Sequence, residues 1–274
     1  MTDGSEGTDG ARERFEMMNW APQSDGPDAM PVTVNAASRA AFLNEIGGML
    51  ARRQGFTVAT LNLDHVVKLR RDLVFRAAYA RHSHVVADGN PIIWLSRLSG
   101  HRVDLAPGSE LIDPVAALAA RAGVSAALVG STPEVLDRAG AELEARHPGL
   151  RIAARISPAM GFDPEGPEAD AAIEAIGASG AGLCLLALGA PRQEVFAVRA
   201  HSRLPETGFL SIGAGLDFIA GHQRRAPALA RALAAEWLWR LGSDPRRLGG
   251  RYAACIGVLP SLVGAALRTR RPSA

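Results

Sequence analysis

The sequence has two cysteines and a single lysine in 274 residues. Cys184 lies in an apolar run of strand character and Cys255 in an apolar helical stretch, with no CxxC and no paired spacing. That excludes a disulfide framework and points to inert thiols in a reducing cytoplasm. The seven histidines show no HxxxH or HExxH spacing, so a zinc site lacks its ligands. Ser109 and Ser131 have neither a GxSxG elbow nor a nearby His-Asp set, which argues against a hydrolase. Neither GxGxxG nor GxxxxGK[ST] occurs at the glycine turns, so generic dinucleotide and P-loop readings do not apply. A DxD with which to hold a divalent metal is also missing. No uninterrupted apolar run approaches the ~20 residues of a membrane helix, and the first 30 residues lack the basic start and apolar core of a signal peptide.

What is present is apolar material, 47% of the chain, enough to fill one large α/β domain or one domain with an appendage. The formal net charge of +2 hides an asymmetry. Asp3, Glu6, Asp9, Glu13, Glu16, Asp25 and Asp28 crowd the start, whereas arginines dominate from Arg224 onward. Because only Lys68 is a lysine, part of that excess reflects arginine-favouring codon usage. Residues 1–30 are rich in Gly, Asp, Ser and Pro without apolar period, and are expected to form a disordered acidic tail.

From Pro31 apolar strands alternate with amphipathic helices. Strands are expected over 56–62, 84–88, 125–130, 151–156, 182–189 and 208–213. Helices are expected over 38–53, 65–81, 109–122, 133–146, 167–178, 192–201, 228–241 and 245–267. This alternation implies a Rossmann-like parallel sheet with helices on both faces. The expected division is an α/β catalytic domain over 31–221 and a basic helical C-terminal appendage over 222–274.

Open parallel sheets bind ligands at the carboxyl ends of their strands. Thr60, Asn62, Asp88, Gly130-Ser131, Gly189 to Pro191 and Gly213 to Asp217 all fall at predicted strand ends. Asp88, between the strand His84-Val85-Val86-Ala87 and Gly89, either points a carboxylate into the cleft or serves as a turn residue or helix N-cap. Asn62 or Asp64 can cap the helix that starts near His65. Glu194, in the first turn of a helix opened by Arg192, is favoured there by the helix dipole alone. Gln193 has no such explanation. Backbone N–H groups at that helix start are available to an anion. Arg240, Arg246 and Arg247 form either a solvated basic face or a source of positive charge for a phosphorylated substrate.

Six groups of residues extend the reading. They are Thr60-Leu61-Asn62, Ala87-Asp88-Gly89, Gly108-Ser109-Glu110-Leu111, Gly161-Phe162-Asp163, the Gly189-Ala190-Pro191-Arg192-Gln193-Glu194 turn, and the Gly213 to Asp217 turn. With Arg225-Ala226-Pro227 and Glu236-Trp237-Leu238-Trp239-Arg240, they make the chain, from about residue 31 to about residue 260, resemble the WecG/TagA/CpsF family of bacterial glycosyltransferases.

The resemblance implies an inverting, metal-independent transferase with no cofactor, acting in cell-surface polysaccharide biosynthesis. It would move a hexose (N-acetylmannosamine, its uronic acid, or glucose) from a UDP-sugar to a polyprenyl-diphosphate-linked sugar. Asp88 matches the family's proposed general base and Thr60 the threonine beside it. Asn62, Gly189, Pro191, Gln193, Glu194, Gly213 and Asp217 fall in the matched substrate-binding motifs. Arg240 and Arg247 match functional arginines of the C-terminal stretch, while a further arginine of some members falls on Gly250, with Arg251 adjacent. Asn90, after the Asp88-Gly89 pair, is a candidate for sugar selection.

The expected partners are the UDP-sugar, the lipid-linked acceptor and an anionic membrane surface, with no nucleic acid; homo-oligomerisation stays open. Trp237, Trp239 and Tyr252 flanked by arginines, then Ala253 to Leu267, suit a helical surface lying on the inner face of the plasma membrane, or else core packing. Pro260 and the short length argue against spanning. Two other classes compete. An NAD-dependent oxidoreductase needs a glycine-rich turn after the first strand, which the Thr60 turn lacks. A nucleic-acid-binding module fits the arginines but leaves the sheet-edge polar residues without a role.

Overall fold

A computed structural model describes residues 18–21, 31–222 and 245–270. Six strands form one sheet in the order β2-β1-β6-β5-β3-β4, every pairing parallel. They are β1 (Phe56–Leu61), β2 (His84–Ala87), β3 (Ala126–Gly130), β4 (Ile152–Ile156), β5 (Leu183–Ala187) and β6 (Gly208–Ser211). All six lie where the apolar runs placed them.

Successive side chains of a strand point to opposite faces, and the two faces are covered by different helices. Val58, Leu128, Leu185 and Leu210 pack against α1 (Arg39–Ala51), α5 (Gly108–Arg121), α6 (Pro133–Arg146) and α9 (Gly215–Ile219). On the other face Ala59, Leu61 and Val85 meet α2 (Leu63–Leu69), α3 (Leu73–Ala80) and α4 (Asn90–Leu98). Further along that face Ala127, Cys184 and Phe209 meet α7 (Pro167–Ser179) and α8 (Arg192–Arg203). The burial of Cys184 pushes its thiol far above the usual range, which accounts for the inertness expected of it.

Several elements differ from expectation. The helix expected over 65–81 is two helices, because the Asp72 carboxylate accepts from the Phe75 N–H and starts a new one. The short helices α4 and α9 were not anticipated. The helix expected over 228–241 lies outside the described residues. Within the tail expected over 1–30, residues 18–21 belong to the fold. Trp20 is 2% exposed, its N–H donates to Val32 O at 2.8 Å, and Asn19 Oδ1 accepts from the Ala21 and Val32 amides. A lone tryptophan among polar residues gives no periodic signal, yet it completes the cluster that also holds Leu262 and Ala266.

Those last two residues belong to the C-terminal helix α10 (Pro245–Thr269), which lies along α2 and α4. Arg251 near its start pairs with Asp64 at 2.7 Å, and Ser261 further on accepts from Arg70 at 2.7 Å. The helix therefore runs parallel to α2, starting at the carboxyl edge of the sheet. Its stretch Leu248–Thr269 is long and apolar enough by composition to cross a membrane, with mean hydropathy 1.4. The sequence reading did not anticipate this, because Arg251 and Pro260 interrupt any continuous apolar run.

Candidate active site

A cleft of about 640 Å³ opens at the carboxyl edge of the sheet, where the ends of β1, β2, β5 and β6 converge. β1 contributes Thr60 and Asn62, β2 Asp88, Gly89 and Asn90, β5 Gly189 and Gln193, and β6 Gly213. The segment between α4 and α5 returns to the end of β2 and forms one lip. There Ala106 N donates to Ala87 O at 2.8 Å, and Gly108 begins α5 so close to β6 that a Cβ would lie 3.0 Å from Ser211 O and Ile212 Cα. A side chain here would press on the end of β6.

Asp88 is held from two directions. Its N–H donates to Leu61 O at 2.7 Å, pinning the end of β2 to that of β1. Asn62 Nδ2 then donates to Asp88 Oδ2 at 3.3 Å. The same Asn62 caps α2, with Oδ1 accepting from the His65 N–H at 3.0 Å. Capping fixes which end of the amide is oxygen, and so leaves the NH₂ for Asp88. The N-cap position of α4 is taken by Gly89, with φ 107, a conformation that favours glycine. Asp88 therefore stands one residue before the N-cap position.

On the other side of the cleft Gln193 performs a similar double task. It is buried, its Oε1 accepts from the Gly213 N–H at 3.1 Å, and its Nε2 donates to Glu194 Oε1 at 2.8 Å. The side chain expected to meet the donor thus ties the turn after β5 to the turn after β6. Glu194 does not line the cleft. It is 0% exposed, and its Oε2 has no hydrogen-bond partner. Burial, only partly offset by the Gln193 hydrogen bond, raises its pKa to about 7.

The anion-binding helix start is smaller than the sequence suggested. The Gln193 N–H is given to Gly189 O at 3.1 Å, and the Glu194 N–H serves its own carboxylate. Positive charge in the cleft comes instead from the side chains of Arg192, Lys68 and Arg251. Lys68 Nζ sits 2.6 Å and Arg251 Nε 2.7 Å from the two oxygens of Asp64. Burial pushes the Asp64 pKa up, but the hydrogen bond and charge of Lys68 and Arg251 outweigh it and hold the carboxyl below its ordinary range. His65, also on the cleft wall, is kept neutral by burial, its pKa lowered to about 3.

Of the residues singled out from sequence, the structure gathers Thr60, Asn62, Asp88, Asn90, Gly189, Gln193 and Gly213 around one cleft. Pro191 precedes α8 without lining it. Asp217 turns away to the end of β3, where its Oδ1 accepts from Ser131 Oγ at 3.4 Å. Arg240 lies outside the described residues, as do the Arg225-Ala226-Pro227 and Glu236 to Arg240 motifs. Arg247 falls in the first turn of α10, and its side chain is outside the description. Lys68, His65 and Arg192 were not proposed as site residues. The one signal available for Lys68 was its being the sole lysine.

The chain matches the Glycosyl transferase WecG/TagA/CpsF family over residues 28–273, nearly its whole length, and belongs to that family. It is a glycosyltransferase, acting on a sugar donor and an acceptor. The oxidoreductase and nucleic-acid readings are set aside on that finding.

The buried titratable groups make a testable pH signature. Glu194 has a folded pKa above its ordinary 4.5, so its contribution is present below pH 4.5 and lost as pH rises toward about 7. His65 and His82, depressed to about 3 and about 4 by burial, act oppositely: their contribution is present above pH 6.5 and lost as pH falls. Glu194→Gln removes only the first effect. The stability of the variant relative to the native protein should therefore rise by roughly 2 kcal/mol between pH 5 and pH 8, measured by urea unfolding. A difference independent of pH would mean that the carboxyl is not held in its neutral form.

Proposed function

We propose that this member of the family transfers a hexose from a UDP-sugar to a polyprenyl-diphosphate-linked sugar in cell-surface polysaccharide assembly, with inversion at the anomeric carbon. The observation that carries the reading is Asp88, fixed by Asn62 at the edge of a cleft whose cations stand on its walls. Asp88 takes the proton from the acceptor hydroxyl as that oxygen attacks the anomeric carbon. UDP leaves from the opposite face, its bonding electrons going to a phosphate oxygen. Thr60, buried at the end of β1 beside Asn62, contacts the reacting sugar. Asn90 opens α4 on the cleft wall and contributes to choosing among N-acetylmannosamine, its uronic acid and glucose. Charge on the leaving group is neutralised by arginines, Arg192 on the cleft wall and, by family position, Arg240 and Arg247.

The appendage over 222–274 holds the enzyme peripherally on the inner face of the plasma membrane, where such an acceptor resides. Ile256, Val263 and Leu267 are exposed along one side of α10, at the spacing of a single helical stripe. Leu262, Ala266 and the Arg70 and Asp64 contacts bind the other side to the domain, which supports lying on the bilayer over crossing it.

Two experiments follow. Assayed in EDTA, the native enzyme should retain transfer, while Asp88→Asn should lose roughly 10² or more in turnover with UDP affinity unchanged. Near-native turnover of the variant removes Asp88 from the base role, and activity abolished by EDTA and restored by Mg²⁺ removes the arginine account. Separately, Ile256→Asp combined with Leu267→Asp should release the protein from anionic vesicles in a flotation assay while sparing transfer to a water-soluble acceptor. Undiminished vesicle binding would refute the docking role of α10.

A further inference from the structure

A displacement on a UDP-sugar develops its negative charge at one atom. When the bond between the anomeric carbon and the diphosphate breaks, its electron pair stays on an oxygen of the terminal phosphate, while the acceptor proton passes to Asp88. A cation that meets this oxygen must stand between the base and the place where the rest of the nucleotide is held. The strand order β2-β1-β6-β5 puts the end of β1 in that interval. Asp88 follows β2 on one side of it, and the glycine turns after β6 and β5 lie on the other, all on the wall of one cleft.

Lys68 belongs to α2, which follows β1, and it lines the cleft. Its charge acts on Glu194, next to the Gln193 that joins the turns of β5 and β6, so it faces that side of the interval. Asp64, one turn earlier on α2, accepts one N–H of the ammonium at 2.6 Å through Oδ2, and its Oδ1 is taken by Arg251 Nε at 2.7 Å. Two further N–H groups of the ammonium are left for a ligand. Arg251 alone would suffice to fasten α10 to Asp64, so that role does not require a lysine. Asp64 cancels one of the two positive charges and the adjacent His65 is neutral, so this part of the wall stays cationic. Arg247, given to the leaving group by family position, stands one turn before Arg251 on α10. Among 30 Lys and Arg residues Lys68 is the one lysine. A compact, rotatable point charge suits a single phosphate oxygen, where the arginine fork suits two.

We infer that Lys68, aimed by Asp64, binds the terminal phosphate of UDP and takes up the charge that develops on its oxygen as the sugar leaves. The inference rests on the reading of the protein as a transferase from a UDP-sugar. It adds a leaving-group contact outside the motifs that carry the family resemblance, and it makes Asp64 a positioning residue.

The test is calorimetric titration of UDP and of UMP into the full-length protein. Lys68→Gln should weaken UDP binding about 10-fold or more and leave UMP, which lacks the terminal phosphate, unchanged. Lys68→Arg, which keeps the charge, should lose less UDP affinity than Lys68→Gln. Unchanged UDP affinity in Lys68→Gln overturns the assignment, and a loss of affinity for decyl diphosphate in its place would give the lysine to the acceptor. An equal loss for UDP and UMP, or an equal loss in the two variants, also overturns it by making Lys68 a support of the fold. Failure of the underlying reading looks different: the native protein itself binds neither UDP nor UMP.

Discussion

The side-chain amide of Asn62 is the interaction on which the site depends. Its oxygen is committed to the first turn of α2 and its nitrogen to the Asp88 carboxylate, so one group ties the start of α2 to Asp88. A cap of this kind is worth about 1 kcal/mol to its helix. Here it also makes the amide asymmetric, since reversing it would break both bonds at once. Because α2 is correctly placed, Lys68 reaches the cleft wall, and α10 finds Arg70 and Asp64 to dock against.

Gln193 repeats the device across the cleft. Its amide accepts from Gly213 and donates to Glu194, joining the loops of β5 and β6 that flank the cleft. The consequence is a division of labour. Buried amides hold the turns that end the central strands, while the cleft is lined by short side chains and glycine backbone near the sheet and by cationic side chains at its rim. The Glu194 carboxyl beneath, sealed from solvent and raised toward neutrality, costs the fold stability above about pH 7. It gives Gln193 Nε2 an acceptor that the apolar interior would not otherwise supply.

Much of this was legible in the sequence. Each apolar run became a strand of the expected sheet, because strands buried on both faces advertise themselves as continuous Val, Leu and Ala. The convergence of Thr60, Asn62, Asp88 and the glycine turns followed from their places at strand ends. The direction in which a side chain points from a strand end was not legible. Asp217 and Gln193 occupy sequence positions as suitable as that of Asp88, yet one bonds Ser131, 86 residues away, and the other binds a neighbouring loop. Trp20 escaped for the same reason: its partners are fixed by packing of distant segments, which leaves no periodic trace. The helix 65–81 was read as continuous because its apolar spacing persists across Arg70-Arg71, and only the Asp72 cap interrupts it.

The proposed chemistry is a single in-line displacement assisted by Asp88, and the anomeric configuration of the product reports on it directly. With the UDP-sugar that the enzyme accepts, proton NMR of the first-formed glycoside should show a configuration at the transferred sugar opposite to that in the donor. Retention of the donor configuration would require a second displacement or attack from the leaving-group face. It would contradict the assignment of Asp88 as a base acting across the cleft from the departing diphosphate.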